Sequence, residues 1–260
     1  MKFYQIDSFT DRLFRGNPAG VCLVYDNWPD EALMQSIAAE ANLSETVFVL
    51  EAGRRLHLRW FTPTVEVDLC GHATLAAAYV LFEYEGYEGV IEFSSKMHEL
   101  RVTREGELLV LDFPIAEIWR IEADAVPDCF NFKPAQHWRS RDEYLLVFES
   151  QAQIEGAVCD LKKAADIELS GFIITAPASS AGLDFVSRYF APKIGIDEDP
   201  VTGSAHTILM PYWRNVFGKD ELEAAQLSRR GGRLSCRVEG NRVKIAGRAV
   251  TFLAGEILGC

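Results

Sequence analysis

An internal repeat constrains this chain more than any other feature. Residues 59–63 read Arg-Trp-Phe-Thr-Pro and residues 188–192 read Arg-Tyr-Phe-Ala-Pro. Each copy runs into an alternating stretch that ends in Asp, Val65-Glu66-Val67-Asp68 and Ile194-Gly195-Ile196-Asp197. Each then reaches a glycine turn and small residues, Cys70-Gly71-His72-Ala73 and Thr202-Gly203-Ser204-Ala205; the second copy carries three extra residues before the turn. The copies stand 129 positions apart (59 to 188) in 260 residues, so the repeat divides the molecule into halves. Solenoid repeats are much shorter, roughly 20–50 residues. The chain is therefore expected to form two similar lobes with a pseudo-two-fold relation. The expected boundaries are 1–113 and 114–260, with the segment at about 247–260 packing back on the first lobe. Clefts between domains are preferred places for small-molecule sites, so the site is expected between the lobes.

Composition narrows the partners. Hydrophobic residues make up 48% of the chain, enough for two cores. The net charge of −12 comes without a Lys/Arg cluster, which argues against a nucleic acid or an anionic membrane as partner. The first residues, Met-Lys-Phe-Tyr-Gln-Ile-Asp, meet an acid before any apolar run, unlike a signal peptide. No apolar run approaches the ~20 residues of a membrane span. The cysteines at 22, 70, 129, 159, 236 and 260 are scattered and form no Cys-x-x-Cys, which fits neither a disulfide framework nor a structural zinc site. A reduced, cytoplasmic protein is the expectation.

Hydrophobic periodicity predicts strands over 3–9, 21–25, 46–50, 57–61, 90–93, 100–103 and 108–113, with a tight loop at Gly16-Asn17-Pro18-Ala19-Gly20. Helical spacing falls on 30–41 and 71–84. A connector is expected over 114–141, then strands at 144–148, 172–176, 185–190, 233–238, 242–246 and 249–253 and helices at 154–157, 160–165 and 204–216. The segments 73–82 and 205–213 are apolar nearly all round, and a helix without a polar face is buried on every side. The expected fold class is α+β, each lobe a mostly antiparallel sheet curled around a central apolar helix. The N-termini of those helices offer unpaired N–H groups that suit a carboxylate.

Several residues carry potential chemistry. Glu45 lies between Ser44 and an apolar run; a carboxylate there can serve as acid or base, or be a solvated loop residue. Cys70-Gly71-His72 opens a helix, where glycine permits close approach of a ligand; the same residues also suit a plain strand-to-helix turn. Asp197-Glu198-Asp199 suggests either a cation or simple charge complementarity to the helix that follows, and no coherent ligand set is evident along the chain. His206, on an apolar helix, reads as a core histidine.

Together these segments resemble a family. Gly16-Asn17-Pro18-Ala19-Gly20-Val21, Asn42-Leu43-Ser44-Glu45-Thr46, Asp68-Leu69-Cys70-Gly71-His72-Ala73-Thr74 and Glu198-Asp199-Pro200-Val201-Thr202-Gly203-Ser204-Ala205-His206 are similar to the signature segments of the PhzF family of phenazine-biosynthesis-like isomerases, itself similar in fold to diaminopimelate epimerase and proline racemase. The resemblance implies a cleft between two lobes, no cofactor, no metal, and a homodimer. It implies that Glu45 transfers the proton, that His72, Asp199 and Ser204 hold the substrate, and that Gly71 and Gly203 lie beside it. Asn17, Cys70 and Thr202 complete the expected substrate-binding set. The related racemases place a thiol at the start of each central helix; here only Cys70 fills such a place, and Thr202 fills the other. The expected activity is a cofactor-independent isomerisation that moves a proton within a small carboxylate-bearing substrate. The alternatives are a non-catalytic small-acid binding protein and a Cys70-dependent racemase.

Overall fold

The structure is a computed structural model that describes every residue except 53, 54 and 260. The chain forms two compact units, Met1–Asp112 with Ala246–Cys260, and Phe113–Ile245.

In the first unit, β1 (Lys2–Ser8) pairs antiparallel with β2 (Asn17–Tyr25), and β2 pairs parallel with β3 (Glu45–Ala52). A parallel pair needs a crossover, here helix α1 (Glu31–Ala41), which ends on Asn42 in the left-handed conformation, φ 49°. β3 continues antiparallel to β4 (Arg55–Phe61), and the short β5 (Glu66–Val67) folds back on the end of β4. Helix α2 (Gly71–Tyr84) follows, then β6 (Val90–Ser94) parallel to β4, β7 (Glu99–Glu105) and β8 (Leu108–Pro114). Side chains alternate across β2 and β3. Cys22, Val24, Phe48 and Leu50 pack under α1 with Met34, Ile37 and Ala38, while α2 packs against β1, β2 and β3. Strands covered on both sides read as nearly continuous apolar runs, as 46–50 does. Helix α2 has the predicted bounds, and eleven of its fourteen residues are buried.

The second unit repeats this order. The short β9 (Trp119–Arg120) flanks β10 (Gln136–Arg139), which pairs antiparallel with β11 (Glu143–Val147). The parallel step from β11 to β12 (Gly171–Pro177) is bridged by two short helices, α3 (Gln151–Glu155) and α4 (Leu161–Ala165). β13 (Phe185–Ala191) runs antiparallel to β12, and β14 (Ile196–Asp199) folds back on it. Helix α5 (His206–Phe217) then leads to β15 (Glu221–Gln226), parallel to β13, followed by β16 (Gly232–Glu239) and β17 (Arg242–Gly247). The last strand, β18 (Ala249–Glu256), belongs to the first unit and pairs antiparallel with β1 along all seven residues of that strand. Each unit is thus a mixed, mainly antiparallel sheet carrying one long apolar helix, the predicted α+β class.

Three local expectations give way. Asn17–Gly20 is strand, not loop: only Gly16 takes the left-handed turn, φ 64°, and Gly20 serves close packing, since a Cβ there would lie 2.8 Å from Thr46 Oγ1. Helix α5 starts at His206 rather than 204, because tight bonds from His206 N to Gly203 O and from Thr207 N to Ser204 O take up the first turn. The strands β5, β9, β10, β14 and β15 are too short or too charged for a period to stand out.

Candidate active site

The repeat has a structural counterpart in each unit. Arg59 on β4 grips Glu66 on β5 through Nε–Oε1 and Nη2–Oε2, both 2.7 Å, with its guanidinium 5.2 Å from the Phe61 ring. Arg188 on β13 grips Glu198 on β14 through 2.6 and 2.9 Å contacts and lies 4.8 Å from the Phe190 ring. These two-point bonds fasten the short strand that leads into each glycine turn. Arg59 holds the Glu66 carboxyl below its ordinary range, against the opposing effect of partial burial. The repeat therefore encodes a fastening for two turns, and the turns carry the candidate residues.

In the first unit the start of β3, the start of β2 and the N-terminus of α2 converge. Glu45, the first residue of β3, places Oε2 3.1 Å from Nε2 of His72, the second residue of α2. His72 Nδ1 is 3.1 Å from Asn17 Nδ2 and 3.4 Å from Cys70 Sγ. Nδ1 thus faces the Asn17 side-chain amide, and Nε2 faces the Glu45 carboxylate as an ion-pair contact. Ser8 Oγ donates to the His72 carbonyl at 2.9 Å, and Thr74 Oγ1 to the Cys70 carbonyl at 2.6 Å, so the turn is held from both sides. Glu45, Asn17, Cys70, Gly71 and His72 are all buried. Two residues apart on a helix, Cys70 and His72 would diverge. They meet because Cys70 is the N-cap, with extended backbone at φ −143°, and only His72 is helical.

Burial by itself would lower the His72 pKa, but Cys70 and Glu45 beside it outweigh that, and the imidazole is held well above its ordinary value. Burial, then the charge of Glu45, pushes the Cys70 thiol up to about 11 despite the pull of His72. A thiol so placed is neutral near pH 7, so the charge that favours the imidazolium is that of Glu45.

In the second unit, Asp199 ends β14 and is buried. Thr202 Oγ1 donates to Asp199 Oδ2. Gln226, at the end of β15, ties the turn together: Oε1 accepts from Thr202 N at 2.8 Å, and Nε2 donates to the Asp199 carbonyl at 2.8 Å. His206 Nδ1 is 2.9 Å from the Thr202 carbonyl, the same anchoring that Thr74 gives Cys70 in the first unit. Burial lowers the His206 pKa to about 4, so this ring is neutral and structural. Gly203 is buried and Ser204 is exposed. Ser8, Thr74 and Gln226 escaped the sequence reading; only Thr74 had a signal, as the position that follows Ala73 just as His206 follows Ala205.

A sheet-and-helix unit built twice defines the fold class, which the chain shares with other solved structures. A probable proline racemase of Agrobacterium radiobacter K84 matches at TM-score 0.64 over 98% of this chain and 92% of its own; at 10% identity the likeness concerns the fold alone. Within that class the sequence is decisive. The model of the phenazine biosynthesis-like proteins, PhzC-PhzF, matches residues 6–255, and the chain belongs to that family. A crystal structure of a PhzF family protein from Enterococcus faecalis matches at TM-score 0.93 and 41% identity, covering 98% of both chains. An uncharacterized isomerase of Pseudomonas aeruginosa is 47% identical over 259 residues, 99% of this chain and 98% of its own. With these relatives the chain is an isomerase-type enzyme. No helix among the described residues is long and apolar enough to cross a membrane.

Proposed function

We propose that the protein is a cofactor-independent isomerase that moves a proton within a small carboxylate-bearing substrate, with Glu45 as both base and acid. The observation that carries this reading is the buried Glu45–His72 pair, 3.1 Å apart, at the N-terminus of a long buried helix. As carboxylate, Glu45 takes a proton from an activated C–H, and the electron pair left behind delocalises into the substrate. As carboxylic acid, Glu45 returns the proton to another carbon of the same molecule. His72, ion-paired with Glu45, orients the carboxyl and as imidazolium offsets negative charge on the substrate, together with the positive N-terminal end of α2. Water must be kept out, or the proton is lost to solvent. Burial of all three side chains, Glu45, Cys70 and His72, serves that need. On the family likeness, Asn17, Gly71, Cys70, Asp199, Thr202, Gly203 and Ser204 are proposed substrate contacts. A homodimer is proposed on the family likeness, and a reduced, cytoplasmic setting on the scattered cysteines.

Cys70 argues against a thiol racemase. A thiol raised to about 11 is a poor base near neutral pH, and Thr202, in the matching place, is weaker still. The test is solvent exchange. A panel of cyclic and linear amino and hydroxy acids is incubated with the protein in D₂O and followed by proton NMR for C–H exchange and rearrangement. Glu45→Gln keeps the shape but cannot cycle between base and acid. It should lower turnover by roughly 10²–10⁴-fold or more while melting like wild type. Rearranged product should carry less than full deuterium, because one shielded acid returns much of the proton it took. Undiminished turnover by Glu45→Gln would reject this mechanism. Asp199→Asn should leave the fold intact and cost roughly 10²–10³-fold in rate if its carboxylate meets the substrate in the transition state; wild-type kinetics would reduce it to a fastening of the turn.

A further inference from the structure

Gln226 is buried at the end of β15, and its amide meets three groups of the turn that carries Asp199. Their chemistry fixes which way round the amide lies. Thr202 N can only donate and lies 2.8 Å from Oε1; the Asp199 carbonyl can only accept and lies 2.8 Å from Nε2. The second Nε2 proton therefore points at Thr202 Oγ1, 3.1 Å away. A hydroxyl has one proton, and with Gln226 donating to the oxygen that proton goes to Asp199 Oδ2. Two residues on, Ser228 Oγ donates to the Pro200 carbonyl at 2.7 Å. The end of β15 thus grips the turn at Asp199, Pro200 and Thr202.

The first unit is fastened differently. Ser187 on β13 stands opposite Gln226, and His57 on β4 stands opposite Ser94. One repeat back, 129 positions, Ser187 corresponds to Leu58, whose place in that register falls opposite Ser95. Ser95 bonds its own turn instead, with Oγ donating to the His98 carbonyl and accepting from His98 N. The stretch from Asp197 to Gly203 is three residues longer than that from Asp68 to Gly71, and everything Gln226 bonds lies in it. Of its two added acids, Glu198 is bound by Arg188, while Asp199 is the one that Thr202 and Gln226 orient. We propose that Gln226 is a positioning residue for the reaction: acting through Thr202, it holds the Asp199 carboxylate in one orientation toward the substrate. Turning the carboxyl about its last bond would break the bond from the hydroxyl, and a polar group fixed beforehand needs no reorganisation as the transition state forms. The effect on catalysis rests on the reading that Asp199 meets the substrate; the hold on the carboxylate does not.

Thr202→Val removes the hydroxyl but leaves both backbone bonds of Gln226 in place, and Thr202→Ser restores the hydroxyl. Gln226→Met removes the whole amide at nearly equal length. Carbon-13 NMR of protein labelled at aspartate needs no substrate, and the Asp199 carboxyl signal is assigned by its absence in Asp199→Asn. Its titration midpoint should rise by roughly 1 pH unit in Thr202→Val, rise less in Gln226→Met, and hold its wild-type place in Thr202→Ser. An unmoved midpoint in Thr202→Val or in Gln226→Met would overturn the relay. C–H exchange then reads the consequence. Gln226→Met should lower kcat by roughly 10–10²-fold with little change in KM. In an Asp199→Asn background it should cost nothing further, because groups that act as a unit are not additive. Equal losses in both backgrounds would make Gln226 a merely structural residue. Wild-type kinetics in Asp199→Asn, with the midpoint shifts intact, would reject the catalytic role of Asp199 and leave the relay standing. Should Gln226→Met fail to melt cooperatively, Thr202→Val carries both measurements.

Discussion

At the scale of single residues, the site turns on one contact between distant positions, Glu45 and His72. The motifs around both residues were visible in the sequence, but their pairing was not. It depends on a crossover helix that brings the start of β3 beside β2, and on a helix that begins one residue before His72. The pair has a measurable signature. A histidine in the unfolded chain loses its proton near pH 6.5, whereas folded His72 keeps it to well above that value. Between the two values the folded state binds more protons, so stability falls as pH rises. The contribution is complete below about pH 6.5 and disappears as pH passes through the folded value. Urea melts of wild type and His72→Gln at a series of pH values from 6 upward should therefore converge in stability. A difference between the two that stays constant with pH would show that His72 is not charged in the fold.

At the scale of elements, the repeated Arg-aromatic-Phe pattern marks a strand whose arginine fastens a second, very short strand. The repeat was legible because both copies need the same side chains at the same spacing. The short strands were not, since two to four residues carry no usable period. The two fastenings differ in strength. Arg188 also donates to the carbonyls of Ile154 and Ala157 at the end of α3, and its side chain is 14% exposed. The third partner of Arg59 is Glu31, whose side chain is 68% exposed and gains little from the pair. Removing Arg188 strands buried acceptors as well as Glu198. Arg188→Met should therefore cost about 3–5 kcal/mol, and Arg59→Met clearly less, about 1–3 kcal/mol. Equal losses in denaturant melts would show that the extra carbonyl bonds contribute nothing.

At the scale of the whole molecule, the chain crosses twice between its units. The second unit is one continuous stretch, Phe113–Ile245, while the first is closed by residues from the far end. The two-fold repeat foretold similar units, but it says nothing about β18, which lies outside both copies. β18 covers the edge of β1, the strand that pairs with β2 at the head of the site. Its outward side chains are largely exposed, Phe252 at 44% and Leu253 at 42%, so its contribution lies more in backbone pairing than in apolar burial. A variant ending at residue 247 forfeits every bond from β18 to β1 and leaves β1 as a bare edge. Trp60 is buried in the first unit and Trp213 in the second, so single-tryptophan versions report the units separately. Truncation should lower the denaturant midpoint reported by Trp60 and leave that reported by Trp213 nearly unchanged, with loss of Glu45-dependent exchange following the first. An unchanged Trp60 midpoint would mean that the returning strand is dispensable and that residues 1–112 hold the Glu45–His72 pair by themselves.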